Sequence, residues 1–429
     1  MSETASEDWV VQPLGQLVEP RRGITYSSAM LESEEEGLPY INMKSFLKGG
    51  GFNPEGTKRF AGDFVQNDLV GERDLLIANT DVTAGDIVGV PALLPKELTS
   101  GQVLYSHHVT RLRINGDVTV PFLYYLLCLP EYRRHMLRIA RGTTVLMLDM
   151  HAIKRIPVRA PKTEINQLRI TEILSTVDEA IEQTEALIAK YQQIKAGLMH
   201  DLFTRGVTLD GQLRPTYKQA PHLYKESPLG WIPKEWEVKP LAEHVRVIDC
   251  KHYTPKFQAN GFPFIRPRNV KVDGLDLEGV DYVSAEDFQL LTDVYVPRRG
   301  DIVFSRNASF GVPCYIDTDL QFAIGQDCVI MTAKASDTRF VFSALTNSIT
   351  ASQIAKVSSG STFGRINLGE IRKLLIPHPG IEEEQRIADR LFGCDEYSRM
   401  LKDELAKLRQ QKQGLMQDLL TGRVRVKVA

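Results

Sequence analysis

The sequence has little cysteine, no long apolar run and no excess of either charge. Its five cysteines are scattered and never form a CxxC pair, which argues against a disulfide framework or a cysteine zinc site. No run of eighteen apolar residues occurs, and the opening MSETASED lacks the apolar core of a signal peptide, so we expect a cytoplasmic protein without a membrane span. The 52 basic and 54 acidic residues exclude a protein that is basic throughout but allow local basic surfaces.

Four catalytic signatures are also missing. There is no GxxxxGKS or GxxxxGKT phosphate loop, no Asn- or Asp-Pro-Pro-aromatic tetrapeptide of the amino-methyltransferases, no HExxH motif and no GxSxG nucleophile elbow. These absences argue against an ATP motor, a methyltransferase, a metalloprotease and a serine hydrolase. We therefore expect a binding protein without catalytic activity of its own.

What the chain does contain is a duplication. Residues 195–207, KAGLMHDLFTRGV, align with residues 412–424, KQGLMQDLLTGRV, at an offset of 217, and upstream Pro161 matches Pro379. Between the matched ends the halves diverge. This pattern predicts two related domains that differ where they contact something outside the chain; drift after an old duplication is the alternative.

Each half ends in a long predicted helix. From residue 164 to about 203, apolar residues recur at alternating steps of four and three, and the same spacing returns 217 residues later. About 40 residues at 1.5 Å each make a helix of roughly 60 Å. One small domain cannot cover so long an apolar stripe, so we expect an antiparallel coiled coil between the two helices; a dimer through each helix is the alternative. The predicted seam comprises Leu174, Val177, Ile181, Ile188, Leu198, Leu391, Leu401, Leu405, Leu408 and Leu415.

The segments before these helices, here called the first and second heads, alternate strand-like apolar runs with turns rich in Gly, Asn and Asp. The expected fold class is α+β: two mixed α/β globular domains separated by two long helices, forming a pseudo-two-fold internal repeat. The predicted boundaries are 1–161 for the first head, 162–204 for its helix, 205–379 for a linker and the second head, 380–422 for the second helix and 423–429 for a tail.

Charge separates the heads from the helices. The helical spans 164–203 and 381–420 contain 10 basic and 16 acidic residues, whereas the rest of the chain contains 42 and 38. Lys and Arg on the heads suit contacts with a phosphate backbone, while Arg pairs with guanine and Asn with adenine through two hydrogen bonds each. Taken singly, each basic cluster is more often a solvated face.

The segment SPLGWIPKEWEV, residues 227–238, opens the second half. Together with GLMxDLxT at the end of each long helix and a Gly-Thr-Thr or Gly-Ser-Thr step before it, this segment resembles the specificity subunit of type I restriction-modification enzymes. The resemblance covers nearly the full chain, in the family's order of head, helix, head, helix. One departure is Leu146 and Met147 where the second copy has Gly364 and Arg365, which puts a shared contact there in doubt.

The resemblance implies that the heads are target recognition domains, each reading one half of a split, asymmetric site in double-stranded DNA. The helices are then expected to set the gap between the halves and to dock two methyltransferase subunits, which use S-adenosylmethionine. Two further restriction and translocation subunits use ATP and Mg²⁺. This chain itself is expected to hold no cofactor or metal. Reuse in another DNA-methylating phage-defence system, or a coiled-coil scaffold, are the alternatives.

The candidate DNA-binding residues combine the basic clusters with the polar loops beside them and the steps that the resemblance adds. They are Lys44, Ser45, Lys58, Arg59, Asn79, Thr80, Asp81, Thr83, Arg141, Thr143, Thr144, Arg266, Arg268, Asn269, Arg306, Asn307, Ser309, Ser361, Thr362 and Arg365.

Overall fold

The computed structural model describes residues 8–31, 37–83, 85–307, 311–358 and 365–426. Contacts within the chain divide it into two compact units, Met1–Glu185 with Glu404–Ala429, and Ala186–Asp403. Each unit therefore combines one head with parts of both long helices. Among the described helices, none has the length and apolarity that crossing a bilayer requires.

The first half is a head of mixed structure followed by a helix of 42 residues. Its strands are β1 Trp9–Pro13, β2 Val18–Arg22, β3 Leu38–Ile41, β4 Lys58–Phe60, β5 Asp74–Ala78, β6 Thr80–Asp81, β7 Pro91–Ala92, β8 Leu104–Tyr105, β9 Val109–Ile114, β10 Ala140–Arg141, β11 Leu146–Leu148 and β12 Pro157–Pro161. Its helices are α1 Leu14–Leu17, α2 Lys96–Thr99, α3 Val120–Cys128, α4 Pro130–Ile139, α5 Met150–Ile153 and α6 Glu164–Arg205.

The second half repeats this plan and ends in a helix of 40 residues. Its strands are β13 Tyr224–Ser227, β14 Gly230–Pro233, β15 Glu237–Pro240, β16 Val245–Asp249, β17 Phe262–Ile265, β18 Val270–Lys271, β19 Gly274–Leu275, β20 Asp281–Val283, β21 Ile302–Ser305, β22 Pro313–Tyr315, β23 Ala323–Ile324, β24 Cys328–Ala333 and β25 Leu375–His378. Its helices are α7 Leu241–His244, α8 Ala285–Leu291, α9 Thr338–Thr346, α10 Ser348–Ser358, α11 Leu368–Lys373 and α12 Ile381–Leu420.

The two heads share their sheet topology. A four-stranded sheet has the order β2-β9-β5-β7 in the first head and β16-β24-β21-β22 in the second, and the sheet β4-β3-β8 matches β20-β17-β23. The pair β1-β12 likewise matches β15-β25. In both three-stranded sheets the central strand has one antiparallel and one parallel neighbour. The internal repeat therefore runs through the heads, where the sequences diverge.

The strands β5 and β21 explain the apolar runs of the heads. All five residues of β5 and all four of β21 are buried. A strand that is covered on both faces has no reason to alternate apolar and polar residues. The helices that pack on these sheets begin at matched caps: the Thr119 hydroxyl accepts from the backbone of Phe122 in α3, and the Asp337 carboxylate accepts from that of Arg339 in α9.

The ends of the long helices complete the cores of the heads. The helix residues in the core of the first head are Ile170, Leu174, Met416, Leu419 and Leu420. Those in the core of the second head are Leu202, Phe203, Ile387, Ala388 and Leu391. In the first unit, the GLMxDLxT copy of α12 thus packs into the first head, and in the second unit the copy of α6 packs into the second head. The repeated motif is a packing motif.

Each long helix is followed by a glycine in a left-handed conformation beside a tryptophan. Gly206 has a φ of +66°, and a Cβ added to it would lie 2.5 Å from the Trp236 ring. Gly422 has a φ of +72°, and its added Cβ would lie 2.9 Å from the Trp9 ring. Neither the backbone conformation nor the space admits a side chain, which is the usual reason for glycine just after a helix.

The long helices run antiparallel to each other within both units. The pairs that bridge them are Asp178 with Lys412 and Glu185 with Arg409 in the first unit, and Tyr191 with Tyr397 and Lys195 with Asp395 in the second. In either unit the residue numbers rise along α6 while those of the partners fall along α12. Because ion pairs that solvent can reach contribute about 1 kcal/mol or less, these three ion pairs, which are half-buried or exposed, report the register more than they stabilise it.

The seam between the helices follows the predicted spacing. Each of the ten apolar residues assigned to it is buried or half-buried, but Leu174, Leu198, Leu391 and Leu415 pack in or against the cores of the heads. Over residues 396–414 of α12, the positions that are not exposed are Ser398, Leu401, Leu405, Leu408 and Lys412. Steps of three and four residues are those of a coiled coil. The expected α+β class, with two heads and a pair of packed long helices, is confirmed.

Candidate nucleic-acid interface

In each head, strand ends of the four-stranded sheet bring three loops to one edge. In the first head, Arg22 ends β2 and faces Thr110, while Ala78 ends β5 and faces Val109 at the start of β9. The second head has the same arrangement: Asp249 ends β16 and faces Val329, while Ser305 ends β21 and faces Cys328 at the start of β24. We call the loops after β2 and β5 and before β9, and their counterparts after β16 and β21 and before β24, the loop edge of each head.

In the first head a three-stranded sheet at the loop edge joins two segments that carry candidate residues, 79–83 and 141–144. Strand β6 pairs with β11 through Asp81 and Leu146, and β11 pairs with β10 through Met147 and Arg141. The turn between β10 and β11 needs Gly142, since its φ is +118° and an added Cβ would lie 2.0 Å from a backbone oxygen. This turn presents the side chains of Arg141, Thr143 and Thr144 to solvent.

Asp81 holds the loop after β5 in shape. Its carboxylate accepts hydrogen bonds from the Thr83 hydroxyl at 2.5 Å, the Ile87 amide at 2.6 Å and the Val88 amide at 3.0 Å. Burial acts to raise the pKa of Asp81, but these hydrogen bonds outweigh it and hold the pKa below its ordinary value. These hydrogen bonds occupy most of the acceptor sites of the carboxylate. Asp81 therefore positions the exposed Thr83 and has little acceptor capacity left for a DNA base.

A buried polar cluster lies next to Asp81 in the sequence. Asn79 is fully buried, and neither atom of its amide has a hydrogen-bond partner among the described residues. The Thr80 hydroxyl is 2.9 Å from Nδ1 of His108, whose ring centroid lies 3.9 Å from that of His107. Burial first, and then His107, lower the pKa of His108, so this imidazole is neutral at pH 7. An unpaired buried amide is costly and calls for an explanation.

The turn at residues 43–45 adjoins this cluster, because the Thr80 hydroxyl is 3.1 Å from the Met43 sulfur. Lys44 is exposed on this turn. Ser45 is fully buried, and its hydroxyl accepts a hydrogen bond from the backbone N–H of Asn42 at 3.2 Å.

Two further basic candidates, Lys58 and Arg59, belong to β4 in the three-stranded sheet. Both side chains are exposed, and the Arg59 guanidinium donates to the Gly37 carbonyl at 2.8 Å. They are therefore placed on a sheet other than the one that carries the loop edge.

In the second head Arg306 takes the place that Asn79 has in the first. Its guanidinium donates to the Asp249 carboxylate at 2.9 Å and to the Ile366 carbonyl at 3.3 Å, and its backbone amide donates to the Asp327 carbonyl at 2.7 Å. Only 6 % of the side chain is exposed. Arg306 therefore ties the loops of this edge together from the inside. Arg365, whose side chain is 47 % exposed, lies 3.8 Å from the Asp327 carboxylate.

The turn after β17 carries the other basic candidates of the second head. Arg266 and Arg268 both contact the Asp281 carboxylate, at 2.8 and 3.0 Å. Asn269 is buried; its amide oxygen accepts from the backbone of Arg266 at 3.1 Å and its nitrogen donates to a backbone carbonyl at 2.9 Å. This turn adjoins the loop edge. Gly325, in the loop before β24, donates its backbone amide to the carbonyl of Ile265, the last residue of β17.

Comparison with known proteins identifies the family. The family model for the type I restriction modification DNA specificity domain matches residues 6–193 and 233–410, which include both heads. This chain belongs to that family. The specificity subunit of the type I restriction enzyme MjaVIII from Methanocaldococcus jannaschii is 27 % identical over 436 residues, covering 98 % of this chain and 94 % of the relative.

Solved structures from type I restriction-modification systems agree with the fold. The crystal structure of the S subunit of a type I restriction-modification system from M. genitalium has a TM-score of 0.62 at 15 % identity and covers 100 % of this chain and 99 % of its own. A chain from a structural study of complex assembly and conformational transition in the type I R-M system has a TM-score of 0.54 at 18 % identity, with coverages of 98 % and 99 %.

For this type I specificity subunit, the structure sorts the candidate residues by exposure. Those with buried side chains are Ser45, Asn79, Thr80, Asp81, Asn269 and Arg306. Those that are exposed are Lys44, Lys58, Arg59, Thr83, Arg141, Thr143, Thr144, Arg268 and Arg365, while Arg266 and Asn307 are half-buried. Ser309, Ser361 and Thr362 lie outside the described residues. Arg22 and Asp249, which end β2 and β16 at the loop edges, were not among the candidates; they occupy matched positions, since aligning Trp9 with Trp236 places residue 22 opposite residue 249.

Replacing Arg306 by Ala is expected to lower the stability of this specificity subunit by about 1–3 kcal/mol, because it removes the donor shared by the Ile366 carbonyl and the half-buried Asp249 carboxylate. Binding should weaken for all DNA sequences alike. Urea unfolding combined with affinity measurements on a panel of single-base variants checks this. Arg365→Ala is the exposed control and should leave stability nearly unchanged. A loss of discrimination at a single base pair with unchanged stability would restore Arg306 as a base contact.

Proposed function

We propose that this chain is the non-catalytic DNA-recognition subunit of a type I restriction-modification complex, and that the loop edge of each head reads one half of a split, asymmetric site. The observation that carries the proposal is that the family model matches two separate segments, each with its own four-stranded sheet and loop edge. Two dissimilar readers in one chain suit two dissimilar half-sites.

The exposed side chains near the loop edges have the chemistry that duplex DNA requires. Arg141 is 81 % exposed in the first head, beside the hydroxyls of Thr143 and Thr144. In the second head, Arg268 and Arg365 are exposed. Guanidinium groups neutralise phosphates or pair with guanine, and threonine contributes a hydroxyl or a methyl group to base edges. The buried polar residues behind them keep the loops in a fixed conformation.

The partners of this subunit follow from the same proposal. Two methyltransferase subunits dock on the long helices and supply S-adenosylmethionine chemistry, and two restriction subunits supply ATP- and Mg²⁺-dependent translocation and cleavage. The helices carry large apolar side chains that are exposed in this chain: Ile165, Leu168, Ile173, Ile194, Ile381 and Met400. Exposed apolar residues on neighbouring turns of one helix face, such as Ile165 and Leu168, suit contact with another protein. We place the complex in the cytoplasm.

The test compares the chain alone with the chain assembled with its methyltransferase subunits. The assembly is expected to bind duplex DNA with strong salt dependence and to methylate adenine, whereas the chain alone should transfer no methyl group. Methylation by the lone chain would contradict the non-catalytic assignment. An assembly without affinity for DNA would favour a coiled-coil scaffold, and methylation without any ATP-dependent cleavage on adding restriction subunits would favour another defence system.

A further inference from the structure

Three potential metal ligands converge in the interior of the second unit. His244 ends α7, His378 ends β25 and Glu384 lies in the first turn of α12. One donor atom from each side chain lies within 4.8 Å of the other two. The two imidazole rings meet edge to face with their centroids 5.2 Å apart, and Nδ1 of His378 is 3.0 Å from the Glu384 carboxylate.

This cluster is largely buried and lies away from the loop edge. His244 is 1 % exposed and Glu384 is fully buried, whereas the His378 side chain is 21 % exposed. His244 directly precedes β16, whereas the loop edge begins where β16 ends at Asp249. Reading DNA therefore gives no reason for two histidines and a carboxylate at this end of the sheet.

The neighbouring polar groups orient the ligands. The Ser336 hydroxyl is 2.8 Å from Nδ1 of His244 and donates to Glu384 at 3.1 Å, and the Asp337 amide donates to the other carboxylate oxygen at 3.0 Å. Nε2 of His244 has no hydrogen bond of ordinary geometry among the described residues, although backbone groups of Lys239 and Ile376 lie beside the ring. A buried ring nitrogen without a well-formed partner calls for an explanation.

The first head shows that packing alone does not require these ligands. The matched positions are Leu17 at the end of α1, Ala160 in β12 and Gln167 in the first turn of α6. The Gln167 amide oxygen accepts from the Thr119 amide at 2.8 Å, as Glu384 accepts from the matched Asp337. A neutral amide and two small or apolar residues are thus sufficient to join a helix to its head.

We propose that His244, His378 and Glu384 bind one divalent transition-metal ion of the zinc class. Imidazole nitrogens and a carboxylate oxygen are ligands that Zn²⁺ prefers, and a fourth position can be filled by water. The ligands come from α7, β25 and α12, so the ion fastens the second head to the start of α12. Because the ligands join three elements and two of them are buried, the ion would act mainly on stability. The proposal departs from the expectation of a metal-free chain, since His244 lies far from His378 and Glu384 in the sequence and no local motif indicated the site.

The test titrates Zn²⁺ into the full-length, chelator-treated chain and follows uptake with a competing chromophoric chelator. One ion should bind per chain, and the melting temperature should rise by about 5–10 °C at a free Zn²⁺ concentration of roughly 100 times Kd. Co²⁺ should give the visible absorption bands of a bound ion. Two variants, His378→Ala and Glu384→Gln, introduce the residue types that the first head has at the matched positions. The exposed His222 provides the control variant, His222→Ala.

The variants decide the outcome. Removing a residue that only hydrogen-bonds a metal ligand lowers metal affinity roughly 10- to 100-fold. Removing a ligand itself should lower Zn²⁺ affinity by more than that, while His222→Ala should bind Zn²⁺ as the unmodified chain does. Circular dichroism establishes that each variant is folded, and Glu384→Gln serves if His378→Ala is not. Zn²⁺ uptake that is equal in the unmodified chain and the folded ligand variants, or no stoichiometric uptake at micromolar Zn²⁺, overturns the proposal.

Discussion

Removing residues 181–187 from α6 together with residues 403–409 from α12 is expected to shorten the gap between the two half-sites by about three base pairs. Seven residues account for about 10 Å of helix, and base pairs are stacked about 3.4 Å apart. The ion pairs Asp178–Lys412 and Lys195–Asp395 flank the deleted segments. Both helices lose one heptad between these pairs, so the seam keeps its register.

The measurement is the set of methylated sites in cells that express the shortened chain with methyltransferase subunits. Both half-sites should keep their sequences while only the gap changes. Deleting residues 181–187 alone is the control, and it should abolish methylation because the flanking ion pairs can no longer form together. An unchanged gap in the double deletion would show that the helices do not determine the spacing.

Exchanging residues 227–379 for the matching segment of another specificity subunit is expected to replace one half-site completely and leave the other half and the gap unchanged. The physical reason is that the second head has its own hydrophobic core and its own loop edge. The donor segment should carry Trp at position 236, because this indole donates to the buried Glu383 of α12 at 3.2 Å.

Methylome sequencing of the exchanged chain and its parent checks this expectation. The matched control exchanges residues 9–161, which should alter the other half-site instead. If either exchange changed both half-sites, the heads could not be independent readers. If neither changed the target, recognition would lie outside the heads.

The long helices could be predicted because their signal is local and repeated. Alternating steps of four and three residues identify a seam without reference to any other part of the chain. Strand order in the heads could not be predicted, since it depends on pairings such as that of β3 with β8, which lie far apart in sequence. The central strands β5 and β21 form from diverged sequences because burial on both faces is met by many different, mainly apolar residues.

The sequence indicated which polar residues follow buried strands but not which of them are exposed. Polar residues that follow buried strands do lie at the loop edges, as Asp81 and Thr83 show, yet only Thr83 is exposed. Arg306 and Arg365 differ in the same way. The groups that Arg306 contacts lie 57 and 60 residues away in the chain, so no local pattern could distinguish a buried guanidinium that holds loops together from an exposed one.

Sequencing methylated adenines in DNA from cells that carry the unmodified chain and its methyltransferase subunits tests the central claim most directly. The account predicts a split motif in which two unlike half-sites, each with one methylated adenine on opposite strands, are separated by a gap of fixed length and free sequence. A single continuous motif, or methylation that does not depend on this chain, would contradict it.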